Sequence, residues 1–240
     1  GIVFVSSKTK CYYENILDPN IKRVVIQSPI NITKFKRRKT SNTDFIENKR
    51  AKEDERFTIG TVCNINPVKD LHLFINICNE VTKIKSSGKH FRFLIVGPIN
   101  DSQKDYLKQL KSYIAKIGID NIEFTGSSSD VREWLEKIDV YICSSKNEAS
   151  PISVWEAMSY GIPILSTDVA DLKFILKQYR AGYIIDNRSS KAFTDILLNL
   201  IRNPSLYNEL CSNSREAAKK LFSAKRCAVQ HEKFFKILLE

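Results

Sequence analysis

The stretch Val140 to Thr167, VYICSSKNEASPISVWEAMSYGIPILST, decides the fold. VYICSS (140–145) is a short continuous apolar run ending in two serines, which suits a strand buried on both faces. A polar loop follows, KNEASPIS (146–153). Ser150 then Pro151 reads as an N-cap and first helical residue, so the spacing predicts a helix over 151–160, stopped by Gly161. PILST (163–167) returns to a buried strand. A strand, a helix and a second strand in so short a span make a parallel crossover unit.

The same alternation runs outward in both directions. FTIGTVC (57–63), FRFLIVG (91–97), NIEFTG (121–126) and GYIID (182–186) read as further buried strands. Between them, LHLFINICNEVTKIK (71–85) and QKDYLKQLKSYIAKIG (103–118) carry helical periodicity. SKAFTDILLNLIRN (190–203), PSLYNELCSNSREAAKKLF (204–222) and AKRCAVQHEKFFKILLE (224–240) close the chain as helices, with Ser223 placed to cap the last. The expected fold class is α/β, a doubly wound parallel sheet of Rossmann-like form. Ahead of Arg56, IVFVSS (2–7), a short helix around Tyr12 to Ile16 and RVVIQS (23–28) form one partial βαβ unit. The polar stretch 36–55 reads as a linker.

Composition narrows the class. With 42% hydrophobic residues over 240 positions the chain can bury a core, which excludes a disordered or collagenous protein. No apolar run approaches the ~20 residues of a membrane-spanning helix, so a soluble protein or a soluble part of one is expected. The chain starts at Gly1 without a signal-peptide pattern and reads as a trimmed fragment. Its six cysteines include no C-x-x-C pair, and most sit in apolar runs, as reduced core thiols of a cytosolic protein do. The net charge of +11 admits nucleic acid, an anionic membrane surface or a phosphate-bearing small molecule as partner. The densest basic run, Lys34 to Lys39, also fits a solvated linker.

In a doubly wound sheet, ligands bind beyond the carboxyl ends of the strands, where strand order reverses. That point is expected between strands 57–63 and 140–145, whose outgoing loops are NINPVKD (64–70) and KNEASPIS (146–153). The helix start at Pro151 turns free amides near Ile152, Ser153 and Val154, with the positive dipole end, toward the crevice as an anion site. Glu148 lies just before that helix and Glu156 about 7 Å along it. With a diphosphate at the helix start, Glu156 meets a ribose and Glu148 a group beyond the second phosphate, the order of a nucleotide-sugar. Lys69 is the natural counter-ion across the crevice. Spacing alone leaves open that Glu148 is a solvated loop residue, Glu156 a surface helix residue and Lys69 an exposed first-turn lysine.

These residues resemble the retaining glycosyltransferases of family 4, which have a GT-B fold of two facing Rossmann-like domains. EASPISVWE is similar to the family's E-x7-E motif, with Glu148 and Glu156 as its glutamates, and runs on into AMSYGIPILSTDVAD. Lys69 resembles the lysine of the family's phosphate loop, and FLIVGP places Gly97 where the family has a glycine. The resemblance covers about 57–222. It implies a remnant of the amino-terminal acceptor domain and interdomain strand at 1–35, a linker at 36–55, a donor-binding domain at 56–222 and a crossover helix at 223–240.

By the same resemblance, Glu156 binds ribose hydroxyls, Glu148 contacts the donor sugar, Lys69 holds the diphosphate, and amides at Ile152 and Ser153 support the phosphates. The loop from Gly126 and Ser127 to Asp130 faces the base. Where many members carry an arginine, five residues before the lysine, this chain has Asn64. The implied activity is hexosyl transfer from a nucleotide diphosphate sugar, with a UDP-sugar expected, to a saccharide or lipid-linked acceptor, in polysaccharide biosynthesis. The donor is a substrate and no cofactor or metal is required; His72, His90 and His231 are scattered. A cytoplasmic protein is expected, with peripheral contact at an anionic inner membrane face, and inactive without the rest of the acceptor domain.

Two other classes compete. A nucleotide-sugar epimerase or a non-catalytic sugar-nucleotide-binding protein is compatible with the same fold. A nucleic-acid-binding protein is disfavoured, because no recognition motif or repeated basic-aromatic surface accompanies the charge. No G-x-G-x-x-G follows any strand, which argues against a dehydrogenase.

Overall fold

A computed structural model describes residues 1–35, 56–84 and 91–240. The linker expected at 36–55, most of the basic run, and His90 lie outside the described residues. The amino-terminal unit consists of β1 (Ile2–Phe4), α1 (Ser7–Tyr13) and β2 (Arg23–Val25). The main unit continues with β3 (Phe57–Val62), α2 (Leu71–Lys83), β4 (Phe91–Val96), α3 (Lys104–Ile117), β5 (Ile122–Gly126) and α4 (Arg132–Leu135). Then come β6 (Val140–Cys143), α5 (Ile152–Ser159), β7 (Ile164–Ser166), α6 (Leu172–Tyr179) and β8 (Gly182–Ile184). The helices α7 (Ser190–Arg202), α8 (Pro204–Phe222) and α9 (Ala224–Leu239) end the chain.

β1 and β2 form a two-stranded parallel sheet; the other six strands form a parallel sheet in the order β5-β4-β3-β6-β7-β8. The order reverses between β3 and β6, as the loops had implied, so the segments leaving those two strands face one crevice. Strand residues alternate between two cores. Phe57, Ile59, Phe93, Ile95, Val140 and Ile142 pack with α2 and α7 on one face. Val62, Leu94, Val96, Tyr141 and Cys143 pack with α5 and α8 on the other. On that second face the wholly buried Trp155 stacks on Phe222 with ring centroids 4.1 Å apart. Truncating either ring would cost about 3–5 kcal/mol.

Gly97 has a strict backbone reason. Its φ is +142°, and a Cβ there would stand 2.1 Å from the Cys63 carbonyl oxygen. That close approach lets the segment after β4 lie against the segment after β3, where the Ile65 amide donates to the Pro98 carbonyl at 3.0 Å.

The short helix of the amino-terminal unit begins earlier than the sequence suggested. It starts at Ser7 because Ser6 caps it, accepting from the Thr9 amide at 3.2 Å. The unit is fastened to the main sheet through the loop after β7. The Ser7 amide donates to both Asp171 oxygens at 2.9 Å, Gln27 Nε2 to Asp171 Oδ2 at 2.5 Å, and Lys8 Nζ to Asp168 Oδ1 at 2.6 Å. Asp171 thus meets the positive end of α1, which favours a carboxylate. At the other side, the Ile30 amide donates to the Phe222 carbonyl at 2.8 Å and Cys227 Sγ to the Gln27 carbonyl at 3.1 Å. Ser223 caps α9 as expected, accepting from the Arg226 amide at 3.4 Å.

Candidate functional site

Lys69 ends a 3-10 turn, Pro67–Lys69, at the mouth of β3. Asn66 sets this turn: its Oδ1 accepts from the amides of Val68 and Lys69 at 3.0 and 3.3 Å, while Pro67 supplies a fixed φ and lacks an amide. The Ser144 hydroxyl donates to the Lys69 carbonyl at 2.8 Å, and the Lys146 amide to the Val68 carbonyl at 2.7 Å. The loops after β3 and β6 are therefore laced together.

Lys69 Nζ stands 2.5 Å from Glu148 Oε1, with side-chain exposures of only 22% and 14%. The Ser145 hydroxyl donates to the same Oε1 at 2.8 Å. Glu148 is not the solvated loop residue its spacing allowed. Both partners lie on one oxygen, and Oε2 has no hydrogen bond among the described residues. Glu148, Asn147 and Ala149 form one wall of a cleft of about 500 Å³, and Lys8, Thr9, Tyr12 and Tyr13 of α1 form the other.

The helix start differs from expectation. Pro151 has φ −79° and ψ 78°, the geometry of an inverse γ-turn, and the Ile152 amide donates back to the Ser150 carbonyl at 3.0 Å. Pro151 therefore lies outside the helix, and Ser150 is no cap; its hydroxyl accepts from Trp155 Nε1 at 3.3 Å. Of the three amides expected to face an anion, that of Val154 is committed to the Pro151 carbonyl at 2.9 Å and that of Ile152 to Ser150. Only the Ser153 amide has no acceptor among the described residues. Its hydroxyl meets the Tyr141 hydroxyl at 2.9 Å.

Glu156 sits one turn into α5, partly buried and with no hydrogen bond or ion pair among the described residues. Burial pushes its carboxyl up from 4.5 to about 7, with Lys34 pulling the other way. An unpartnered carboxylate held near neutrality beside a helix start is poised to accept hydroxyls. Gly126, with φ +74°, and Ser127 are exposed at the end of β5. At about 4.8 Å per strand they lie roughly 10 Å from β3 and 14 Å from β6 along the sheet top. In the same loop Asp130 chelates Arg132, which draws the Asp130 carboxyl down to about 2. Asn64 is exposed shortly after β3, and its side chain makes no hydrogen bond among the described residues.

Several residues of the site were not legible in the sequence. Arg188, after β8, donates Nη1 to the Ser145 carbonyl at 3.0 Å and Nη2 to the Ser144 carbonyl at 2.9 Å, and it pairs with Asp70. Tyr141 looked like a core strand residue, although its hydroxyl is the link to Ser153. Asn66-Pro67 did carry a signal, the cap and first-turn pairing already applied to Ser150-Pro151. Arg188 had none, because its partners are brought to it by topology alone.

A six-stranded parallel sheet with Lys69, Glu148 and Glu156 on the segments that follow β3 and β6 defines an α/β domain of Rossmann-like form. The sequence model of the family described as "Glycosyl transferases group 1" matches residues 42–221, more than half of the chain. The chain belongs to this family. An uncharacterized glycosyltransferase of Haemophilus influenzae is 25% identical over 175 residues, which cover 72% of this chain and 47% of the relative. N-acetyl-alpha-D-glucosaminyl L-malate synthase of Bacillus anthracis is 22% identical over 116 residues, 48% of this chain and 30% of the relative. The chain thus spans less than half the length of either. Among solved structures, Anabaena Alr3699/HepE in complex with UDP and glucose superposes with a TM-score of 0.82 at 18% identity, over 98% of this chain and 62% of that one. The C-terminal domain of the group 1 glycosyl transferase LpcC from Francisella tularensis is matched over 99% of its length and 81% of this chain, with a TM-score of 0.67 at 19% identity. Among the described residues, no helix is long and apolar enough to cross a membrane.

Proposed function

We propose that this chain is the donor-binding half of a glycosyltransferase that moves a hexosyl group from a nucleotide diphosphate sugar, UDP-linked in our reading, to a saccharide or lipid-linked acceptor with retention of configuration. The observation that carries this is the Lys69–Glu148 pair at 2.5 Å, half-sheltered at the sheet's switch point with Glu148 on the wall of the cleft. In this reading Lys69 and the Ser153 amide hold the diphosphate, Glu156 accepts from the ribose hydroxyls, Glu148 orients the sugar, and the loop from Gly126 and Ser127 borders the base. The roles given to the Ile152 and Val154 amides are withdrawn, since both already have acceptors.

The chemistry is electrostatic. As the sugar–phosphate bond breaks, negative charge grows on the diphosphate, and Lys69 is the cation already fixed beside it. Glu148 does two things: it holds Lys69 in place before the donor arrives, and offers an acceptor for a sugar hydroxyl when Lys69 turns to phosphate. That the neighbour HepE was solved with UDP and glucose supports the choice of donor class. Peripheral contact with an anionic membrane, and placement of the acceptor against the α1 wall, belong to the same proposal.

The test is calorimetric titration of the chain with UDP, UDP-glucose and uridine. Binding of the diphosphates but not of uridine at comparable strength is expected. No binding by any nucleotide diphosphate or its sugar would overturn the reading.

A further inference from the structure

Two residues with left-handed backbone hold each other at the base of the site. Asp70 has φ 45° and Arg188 φ 51°, a region where glycine is at ease and side chains are strained. Neither is glycine, and the two are ion-paired across the crevice, joining the loop after β3 to the loop after β8. Side chains kept at two such positions, and joined to each other, point to a demand that glycine cannot meet.

The hydrogen bonds show what that demand is. The Arg188 guanidinium fans onto the carbonyls of Ser144 and Ser145 at 2.9 and 3.0 Å. Those same two serines then use their hydroxyls on the donor pair: Ser144 on the Lys69 carbonyl and Ser145 on Glu148 Oε1, both at 2.8 Å. Asp70 follows Lys69 directly in sequence. The supports that reach Lys69 and Glu148 through Ser144, Ser145 and Asp70 therefore meet at one planar cation, with the Thr167 hydroxyl sharing the Ser145 carbonyl at 2.6 Å and the Lys146 amide tying Val68 separately. A lysine could not reproduce this, since an ammonium lacks the flat fork that serves two carbonyls and a carboxylate at once.

We infer that Arg188 is a positioning residue for the donor site, setting the Lys69–Glu148 pair through Ser144, Ser145 and Asp70 without touching the donor itself. The inference rests on the donor reading above for its functional part, and on geometry alone for its structural part.

The experiment compares the 240-residue chain with Arg188→Gly and Arg188→Lys. Three quantities are read: the melting midpoint, hydrogen exchange of the Lys69, Asp70 and Lys146 amides, and affinities for UDP-glucose and uridine. Arg188→Gly relieves the backbone strain while removing the fork, so its melting midpoint should move by less than about 4 °C. The three amides should exchange about tenfold faster or more in both variants, because their loops lose the common anchor. UDP-glucose affinity should fall about tenfold in both, and uridine affinity less than twofold. Unchanged exchange in Arg188→Gly overturns the proposal. So does faster exchange with UDP-glucose affinity intact, or full recovery of both by Arg188→Lys. If Arg188→Gly does not fold, Arg188→Lys decides by the same two readouts. If the unsubstituted chain binds no nucleotide sugar, the donor reading has failed, and the exchange data alone decide whether Arg188 fixes the pair.

Discussion

Tyr141 and Ser153 meet hydroxyl to hydroxyl at 2.9 Å, and the neighbouring Val62 backbone groups assign the direction of that bond. The single phenolic hydrogen of Tyr141 goes to the Val62 carbonyl at 2.9 Å, while the Val62 amide donates to the same phenolic oxygen at 3.1 Å. With the phenolic hydrogen on the buried Val62 carbonyl, Ser153 is the donor to Tyr141. Its hydroxyl hydrogen is unavailable to a phosphate, and only its backbone amide can serve one. Burial raises the Tyr141 hydroxyl far above its usual range, so this arrangement holds at any working pH.

Replacing Tyr141 with Phe removes the bridge between β3, β6 and the start of α5. The buried Val62 groups lose their partner, at a cost of about 1–3 kcal/mol in urea unfolding. Ser153 is released as well, so UDP affinity should fall several-fold more than uridine affinity. An unfolding curve superimposable on the parent's would contradict the bond as described.

Lys69→Ala should weaken UDP by about 1.5–3 kcal/mol, the worth of a charge-assisted contact, and leave uridine nearly unchanged. Calorimetry of the two ligands reads this directly; equal losses would remove Lys69 from the diphosphate.

Glu156 gives a pH signature. Its folded pKa of about 7 lies above the 4.5 of the free group, so the folded state holds a proton that the unfolded state has released between those values. Stability is lost as pH rises through that window, and Glu156→Gln escapes the loss. The variant should melt about 2–4 °C above the parent at pH 8, corresponding to about 1 kcal/mol for a partly exposed group, and alongside it at pH 4. Nucleotide affinity of the parent should rise from pH 6 to 8 as the carboxylate forms; that of the variant should stay flat.

Gly97→Ala should destabilise by about 3 kcal/mol or more, since a methyl group would enter the Cys63 carbonyl from a backbone angle that side chains avoid. Chemical denaturation checks it, and a loss under 1 kcal/mol would mean that the two loops are not locked together as described.

What the sequence disclosed and what it withheld follow from the range of each signal. The parallel sheet and its switch point were readable because VYIC, FRFLIV and FTIGTV are continuous apolar runs divided by periodic helices, a pattern that suits a parallel sheet with two covered faces. The Lys69–Glu148 contact was readable only as a possibility, since local spacing from a strand end and a helix start placed the two on facing loops without excluding solvated side chains. The Ser150 cap was misread because Pro151 can serve either as a first helical residue or as the centre of a γ-turn, and in the γ-turn found here the Ser150 hydroxyl accepts from Trp155 instead of capping the helix. Arg188 and Tyr141 were silent for a different reason. Their roles depend on partners many residues away in the chain, which no local pattern records.

The central claim, that Glu148 faces the donor's sugar while Lys69 faces its diphosphate, is tested most directly by titrating Glu148→Gln with UDP-glucose and with UDP. Neutralising Glu148 removes an acceptor for the sugar and frees Lys69 from its partner. The account predicts about a tenfold loss for UDP-glucose, with UDP binding unchanged or tighter. Equal loss for both ligands would contradict it.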